Sequence, residues 1–276
     1  MSLALRGRAG AAMVVGVALV LVTDWATSSN LATLVGAGFV VALASSEFYD
    51  LVQPKGLSAF KPFGMAAAIT LILLPSLSHS RGWGGLVAAF VCFLLWWLAF
   101  RLLFRPQRTD GDFGTRIALT SLGVVYVGGL ASFWGWIRLL PNGLAALCVL
   151  VILAKSGDLA AYVVGSSFGR HKLASKVSPN KSLEGAAANM VVSVLLALII
   201  VLIWRKPFER PSDALLFGLL VSTAAQLGDL LESKIKRAFG AKDSSSMIPG
   251  FGGVLDVIDS VLVAAPMGYF VLILLR

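Results

Sequence analysis

Charge is scarce in this sequence. Of its 276 residues only 13% are Asp, Glu, Lys or Arg, about half of the roughly 25% that a typical soluble domain carries. The deficit is gathered into long apolar runs, and 58% of the chain is hydrophobic with a mean hydropathy of +0.86. That composition excludes disorder, which needs low hydrophobicity and high charge. Cysteine is nearly absent too. Cys92 and Cys148 lie far apart, each inside an apolar run, so a disulfide framework and a cysteine-held zinc site are both excluded and the two read as packing residues. The two histidines, His79 and His171, are equally isolated. No repeat of fixed period is visible, and no pair of broken helices in matching halves points to a transporter.

What the sequence has instead is apolar length. Crossing a bilayer takes about 20 apolar residues per helix, and runs of that order cover 9–22, 31–48, 62–77, 83–100, 116–137, 141–165, 185–204, 212–231 and 256–275. The first, behind Arg6 and Arg8, superficially resembles a signal peptide, but Thr23, Asp24 and Trp25 follow it in place of small residues, and it reads as an uncleaved helix. The expected fold is an all-α, polytopic integral membrane protein of about nine transmembrane helices. Residues 1–276 form a single membrane domain, with 1–140 as lipid-side scaffold and 141–276 as the catalytic half.

The charges that do occur are unevenly placed. With nine helices and a cytoplasmic N-terminus, 17 of the 23 basic residues fall on the inside and six on the outside, the asymmetry of the positive-inside rule. The net charge of +9 is thereby explained without a nucleic-acid partner. Asp24, Glu47, Asp50, Asp110 and Asp112 lie near helix ends or in loops and are expected to be solvated. Nine of the 14 acidic residues come after position 150.

Three polar blocks in that second half fall on one expected membrane face. In the first, Lys155 and Asp158 share a helix face at i, i+3, as do Asp158 and Tyr162 at i, i+4. Charges beside a span normally face the protein interior or a wet cavity, and a structural Lys–Asp pair is the alternative. The second block runs from Phe168 through Lys172, Lys176, Ser178 and Lys181 to Glu184. Its hydroxyl and carboxylate suit a helix start, and its lysines beside a helix N-terminus suit phosphate. A plain basic cytoplasmic loop is the alternative here.

The third block is the densest. Asp229/Glu232 and Asp256/Asp259 are both spaced i, i+3, so two helices each present a pair of carboxylates. Between them come Lys236, Arg237 and Lys242, then the turn Pro249-Gly-Phe-Gly-Gly253, which permits close backbone approach. Hard oxygen ligands beside basic residues suit Mg²⁺ carrying substrate phosphates, and hence phosphoryl transfer. Salt bridging alone is the competing explanation.

The run Ser233-Lys-Ile-Lys236-Arg237, Lys242-Asp243 and Pro249-Gly-Phe-Gly-Gly253-Val-Leu-Asp256-Val-Ile-Asp259 resembles the signature of the phosphatidate cytidylyltransferase (CDP-diacylglycerol synthase) family. Gln226-Leu-Gly-Asp229-Leu-Leu-Glu232, Ser178-Pro-Asn-Lys181-Ser-Leu-Glu184-Gly185 and Asp158-Leu-Ala-Ala-Tyr162 are similar to further stretches of that family. The likeness spans about residues 150–265, while the first 140 residues share only their apolar helices. Phe251 stands where the family often has His, and Val257 where it often has a basic residue.

The resemblance implies that CTP and phosphatidic acid give CDP-diacylglycerol and pyrophosphate with Mg²⁺, in a bacterial cell membrane, at a site facing the cytoplasm, in a homodimer. By the same resemblance Asp229 and Asp256 are ligands of a paired metal site, with Asp259 and Asp243 as the next candidates for it, and Lys242 belongs to the catalytic group. Ser233, Lys236 and Arg237 hold phosphates, as do Ser178 and Lys181 from the facing loop, and Asp158 and Lys155 order the site. A related transferase acting on another lipid and a cation-coupled transporter remain the alternatives.

Overall fold

The computed structural model describes residues 3–27, 29–52, 59–77, 112–174 and 178–276. Eight of the nine apolar runs correspond to helical segments there. They are α1 (Leu3–Thr27), α2 (Leu31–Val52), α3 (Lys61–Leu77), α4 (Asp112–Gly123), α5 (Leu130–Arg138), α6 (Gly143–Phe168), α7 (Leu183–Trp204), α8 (Pro211–Ala238) and α9 (Val254–Leu274). A π-helical turn, Val124–Gly129, joins α4 to α5, so one apolar run gives a single span, Phe113–Arg138. The run at 83–100 lies outside the described residues, together with Lys55, His79, Cys92, Asp110 and Lys176.

Among the described residues six helices are long and apolar enough to cross a membrane, and the apolar stretches Val15–Thr27 and Lys61–Ser76 are shorter. At 1.5 Å per residue, a helix of about 22 residues spans about 33 Å, the thickness of a hydrocarbon core. The protein is thus a helical, polytopic integral membrane protein. Of the six, α7 is the most apolar and has the least of its surface buried. Leu202 and Ile203 stand fully out on it, as expected of a face meeting lipid.

The chain divides into two compact units, Met1–Leu139 with Ser244–Leu255, and Leu140–Asp243 with Asp256–Arg276. In the first, α3 packs on α2, on the π-helical turn and on α5. The Tyr49 hydroxyl donates to the Thr120 carbonyl at 2.9 Å, and Phe48 meets the Tyr49 ring edge-on with centroids 5.6 Å apart.

Two acidic residues expected to be solvated are in fact interior. Asp24 is 1% exposed. It accepts from the Ala32 and Thr33 amides at 2.9 and 3.2 Å, capping the start of α2, and lies 3.5 Å from Arg138 Nε. Glu47 is 6% exposed. Asp50 keeps to expectation as an exposed carboxylate paired with Lys61 at 2.7 Å.

In the second unit α6, α7 and α8 pack on one another. Between α6 and α7 the chain forms an antiparallel hairpin of β1 (Lys172–Ala174) and β2 (Ser178–Ser182), with Lys172 opposite Ser182 and Ala174 opposite Ser178. Helix α7 is capped by Ser182, whose Oγ accepts from the Gly185 amide at 3.1 Å. Ser178, the sequence's candidate for that helix start, lies four residues earlier in β2. Helix α8 opens on Pro211, where a missing N–H costs nothing. Asp213 lies in its first turn and Lys236 and Arg237 in its last, each complementing the helix dipole.

Candidate functional site

The three polar blocks meet in the second unit. Asp229 and Glu232 project from one face of α8 as their i, i+3 spacing requires, and Asp259 projects from α9. Carboxylate oxygens of these three lie within 4.8 Å of one another. Glu232 is 1% exposed and Asp259 5%, so this is an interior carboxylate cluster, costly unless compensated.

Three lysines supply the compensation. Lys181, at the end of β2, reaches Asp229 at 2.5 Å. Lys236, one turn along α8, pairs with Glu232 at 2.5 Å and also with Asp256. Lys155 on α6 donates to Ser260 Oγ at 2.7 Å and lies 3.3 Å from Asp158 and 3.8 Å from Asp259. Ser260 links the same groups: its Oγ bonds Asp158 at 2.8 Å and its amide donates to Asp259 at 2.6 Å. Beneath them Asn189 donates weakly to Asp158 at 3.5 Å and accepts from Gln226 at 3.4 Å.

Among the described residues, five carboxylates (Asp158, Asp229, Glu232, Asp256 and Asp259) thus face the three ammonium groups named above. The formal excess is two negative charges, the complement of one divalent cation. An all-oxygen donor set of Asp229, Glu232 and Asp259 fits a hard cation.

The structure therefore brings together Asp229, Asp259, Asp158, Lys155, Lys181 and Lys236. It places Asp256 differently from Asp259, against Lys236, because the two carboxylates leave α9 almost one turn apart and meet different neighbours. Ser178 and Ser233 are half-buried, while Arg237, Lys242 and Asp243 are exposed on the last turn of α8 and the segment after it. Arg237 donates to the Ala241 carbonyl at 3.3 Å. Among the described residues His171 is an exposed partner of Glu184, 2.7 Å away, and Glu184 also accepts from the Arg170 and His171 amides. Glu232 enters the sequence reading as half of the Asp229/Glu232 pair but is given no role at the site, Gln226 appears only within a family-like stretch, and Ser260 and Asn189 are assigned nothing. The i, i+3 spacing from Asp229 was a usable signal for Glu232, whereas an isolated Ser or Asn in an apolar helix carries none.

The approach of α8 to α9 depends on Gly228, the neighbour of Asp229. A Cβ there would stand 2.7 Å from the Asp259 carbonyl oxygen and 3.0 Å from Val263 Cβ, and neither backbone nor a branched side chain yields cheaply. Gly228→Ala is expected to push the helices apart and weaken divalent-cation binding about tenfold, the lower end of what support-shell changes cost a metal site. Titration calorimetry of the purified protein in detergent measures this. Unchanged affinity would mean that this spacing does not set the carboxylate cluster.

A family model described as "Cytidylyltransferase family" matches residues 5–275, so the likeness extends through the N-terminal helices as well as the motif-rich half. A protein named phosphatidate cytidylyltransferase from Bacillus subtilis (strain 168) is 34% identical, over 85% of this chain and 87% of its own length. One from Synechocystis is 29% identical over 95% of this chain and 94% of its own, and one from Pseudomonas aeruginosa 35% identical over 83% of each.

Proposed function

This chain belongs to the cytidylyltransferase family, and from that premise we propose that it transfers the cytidylyl group of CTP to phosphatidic acid, giving CDP-diacylglycerol and pyrophosphate in phospholipid biosynthesis. The observation that carries the reading is the convergence of Asp229, Glu232 and Asp259, ringed by Lys155, Lys181 and Lys236, inside a membrane-embedded chain.

A phosphate oxygen of the lipid forms a bond to the α-phosphorus of CTP as the bond from that phosphorus to the β-phosphate oxygen breaks. Phosphatidate is already an anion, so no base is needed to create the nucleophile. The difficulty is the meeting of two polyanions, which positioned cations relieve. Lys181 and Lys236 are held by carboxylates and face phosphate groups from two directions. Ser178, Ser233 and Arg237 add donors, Lys242 and Asp243 line the water side, and Lys155 with Asp158 fixes Asp259.

Mg²⁺ suits Asp229, Glu232 and Asp259, and when bound it neutralises charge on the transferred group and on the leaving pyrophosphate. Asp256 is the further carboxylate through which a paired site would take a second ion. The same reading includes nine spans with a cytoplasmic N-terminus, supported by the distribution of basic residues, which puts the site on the cytoplasmic side of a bacterial cell membrane. It also includes the homodimer that the family resemblance implies.

The test is a screen of lipid phosphates against the four nucleoside triphosphates, with the protein purified in detergent. CTP with phosphatidate should react, and only with a divalent metal. A product from a polyprenyl phosphate instead would move the substrate. Solute accumulation in proteoliposomes without nucleotide consumption would replace the enzyme with a transporter.

A further inference from the structure

Helix α9 carries two of the site's carboxylates. The residue before it is Gly253, which has no side chain, and the acidic residue of its first turn, Asp256, is turned to Lys236. The first amides of a helix lack intrahelical partners and ordinarily take a nearby side-chain oxygen. Here that oxygen comes from more than 200 positions away in the chain. Glu47 of α2 accepts from the Val254 amide through Oε1 at 3.0 Å and from the Leu255 amide through Oε2 at 2.8 Å. The same carboxylate accepts from Ser245 Oγ at 2.7 Å and Ser244 Oγ at 3.2 Å. All these partners belong to one compact unit.

Gly253 completes the clamp: a Cβ at that position would run into Ser244 Oγ and the Glu47 carboxylate. Asp256 follows Leu255 directly, and Asp259 lies about one turn further along the same helix.

We propose that Glu47 is a positioning residue for the transfer reaction, holding the first turn of α9 in helical form so that Asp256 and Asp259 stand at helical spacing along it. A carboxylate is the fitting group, because four donors converge on it and a negative charge complements the positive end of a helix. Its kinetic consequence rests on the cytidylyltransferase reading. The grip itself does not.

In Glu47→Ala, hydrogen exchange of peptides beginning at Gly253 should accelerate and Mn²⁺ affinity, read by electron paramagnetic resonance, should fall about tenfold. The kcat should drop about 30-fold with KM for CTP within threefold, since small misplacements cost up to about 100-fold. Glu47→Gln keeps one acceptor and should recover most of that loss. Ser245→Ala, a mild change that keeps the carboxylate, should move every readout in the same direction by about two- to threefold, consistent with one lost hydrogen bond. Wild-type exchange and Mn²⁺ affinity in Glu47→Ala overturn the proposal. So does a loss in Glu47→Ala that accompanies a collapsed melting temperature and is not echoed in Ser245→Ala. If the wild-type chain makes no CDP-lipid, the enzymatic reading falls, while exchange and Mn²⁺ binding still decide the role of Glu47.

Discussion

Asp259→Asn is expected to lower turnover at least 1000-fold, about 4 kcal/mol of transition-state stabilisation, while leaving the fold intact. Asn is isosteric with Asp, so the packing of α9 against its neighbours is preserved and only charge and one acceptor are lost. Four groups meet at this carboxylate: Asp229 and Glu232 share its cluster, Lys155 lies 3.8 Å away and the Ser260 amide donates to it at 2.6 Å. Without its charge the cluster has one anionic donor fewer, and Lys155 keeps Asp158 and Ser260 as partners. The defect should therefore appear as weakened divalent-metal binding and reduced kcat, partly relieved by raising Mg²⁺ from 1 to about 50 mM, because mass action restores occupancy when only affinity is lost. Initial rates of CDP-diacylglycerol formation across a metal titration measure it. Turnover within tenfold of wild type at ordinary Mg²⁺ would take Asp259 out of the catalytic machinery. Asp229→Asn should behave alike but more mildly, since Asp229 is half-exposed and water can substitute for the lost acceptor.

The helices were legible because their signal is local. Eight apolar runs have helical counterparts with ends displaced by a few residues, and the largest internal difference, the π-helical turn at Val124–Gly129, leaves no trace in an apolar run. The candidate site was legible where carboxylates and lysines recur at helical spacing, as at Asp229/Glu232 and Lys155/Asp158. Illegible were partnerships made across the fold. Spacing puts Asp256 and Asp259 on one helix face, but only the neighbours decide that one meets Lys236 and the other meets Lys155 and Asp229. Glu47 shows this most sharply. In sequence it is one acidic residue near a helix end, which normally means solvent. Its donors come from positions 244–255, a separation over which no periodicity survives.

Pairing every carboxylate with a lysine has a consequence for substrate entry. A site built of anions alone would repel CTP and phosphatidate, and one built of cations alone would bind them without a place for metal. On the proposed reading, alternating the signs would let each lysine exchange a carboxylate for a phosphate while the released carboxylate became available to a cation. Lys181 is suited to that exchange, because it sits at the end of a hairpin and its partner Asp229 is only half-buried. Lys236 is more deeply held.

Lys236→Met accordingly has the second large expected effect, and it falls on stability as well as turnover. One ammonium group serves both Glu232, which is almost fully buried, and Asp256. Met fills nearly the same volume, so packing is kept while two interior carboxylates lose their counter-charge. Removing one partner of a buried ion pair destabilises by about 3–5 kcal/mol, which should appear as a clear fall in the unfolding temperature in detergent, with turnover reduced about 100-fold or more. Lys236→Arg keeps the charge but replaces a compact ammonium with a planar fork, and should restore stability better than activity. The double variant Lys236→Met/Glu232→Gln separates the two effects. Neutralising Glu232 removes the more deeply buried of the two charges that Lys236 balances, so the melting temperature should recover in part, whereas turnover should stay low because, on the proposed reading, both a cation for phosphate and a carboxylate for metal are gone. Recovery of both would make Lys236 purely a structural counter-ion. Loss of turnover with a wild-type melting temperature in the single variant would mean that Glu232 and Asp256 find compensation without Lys236.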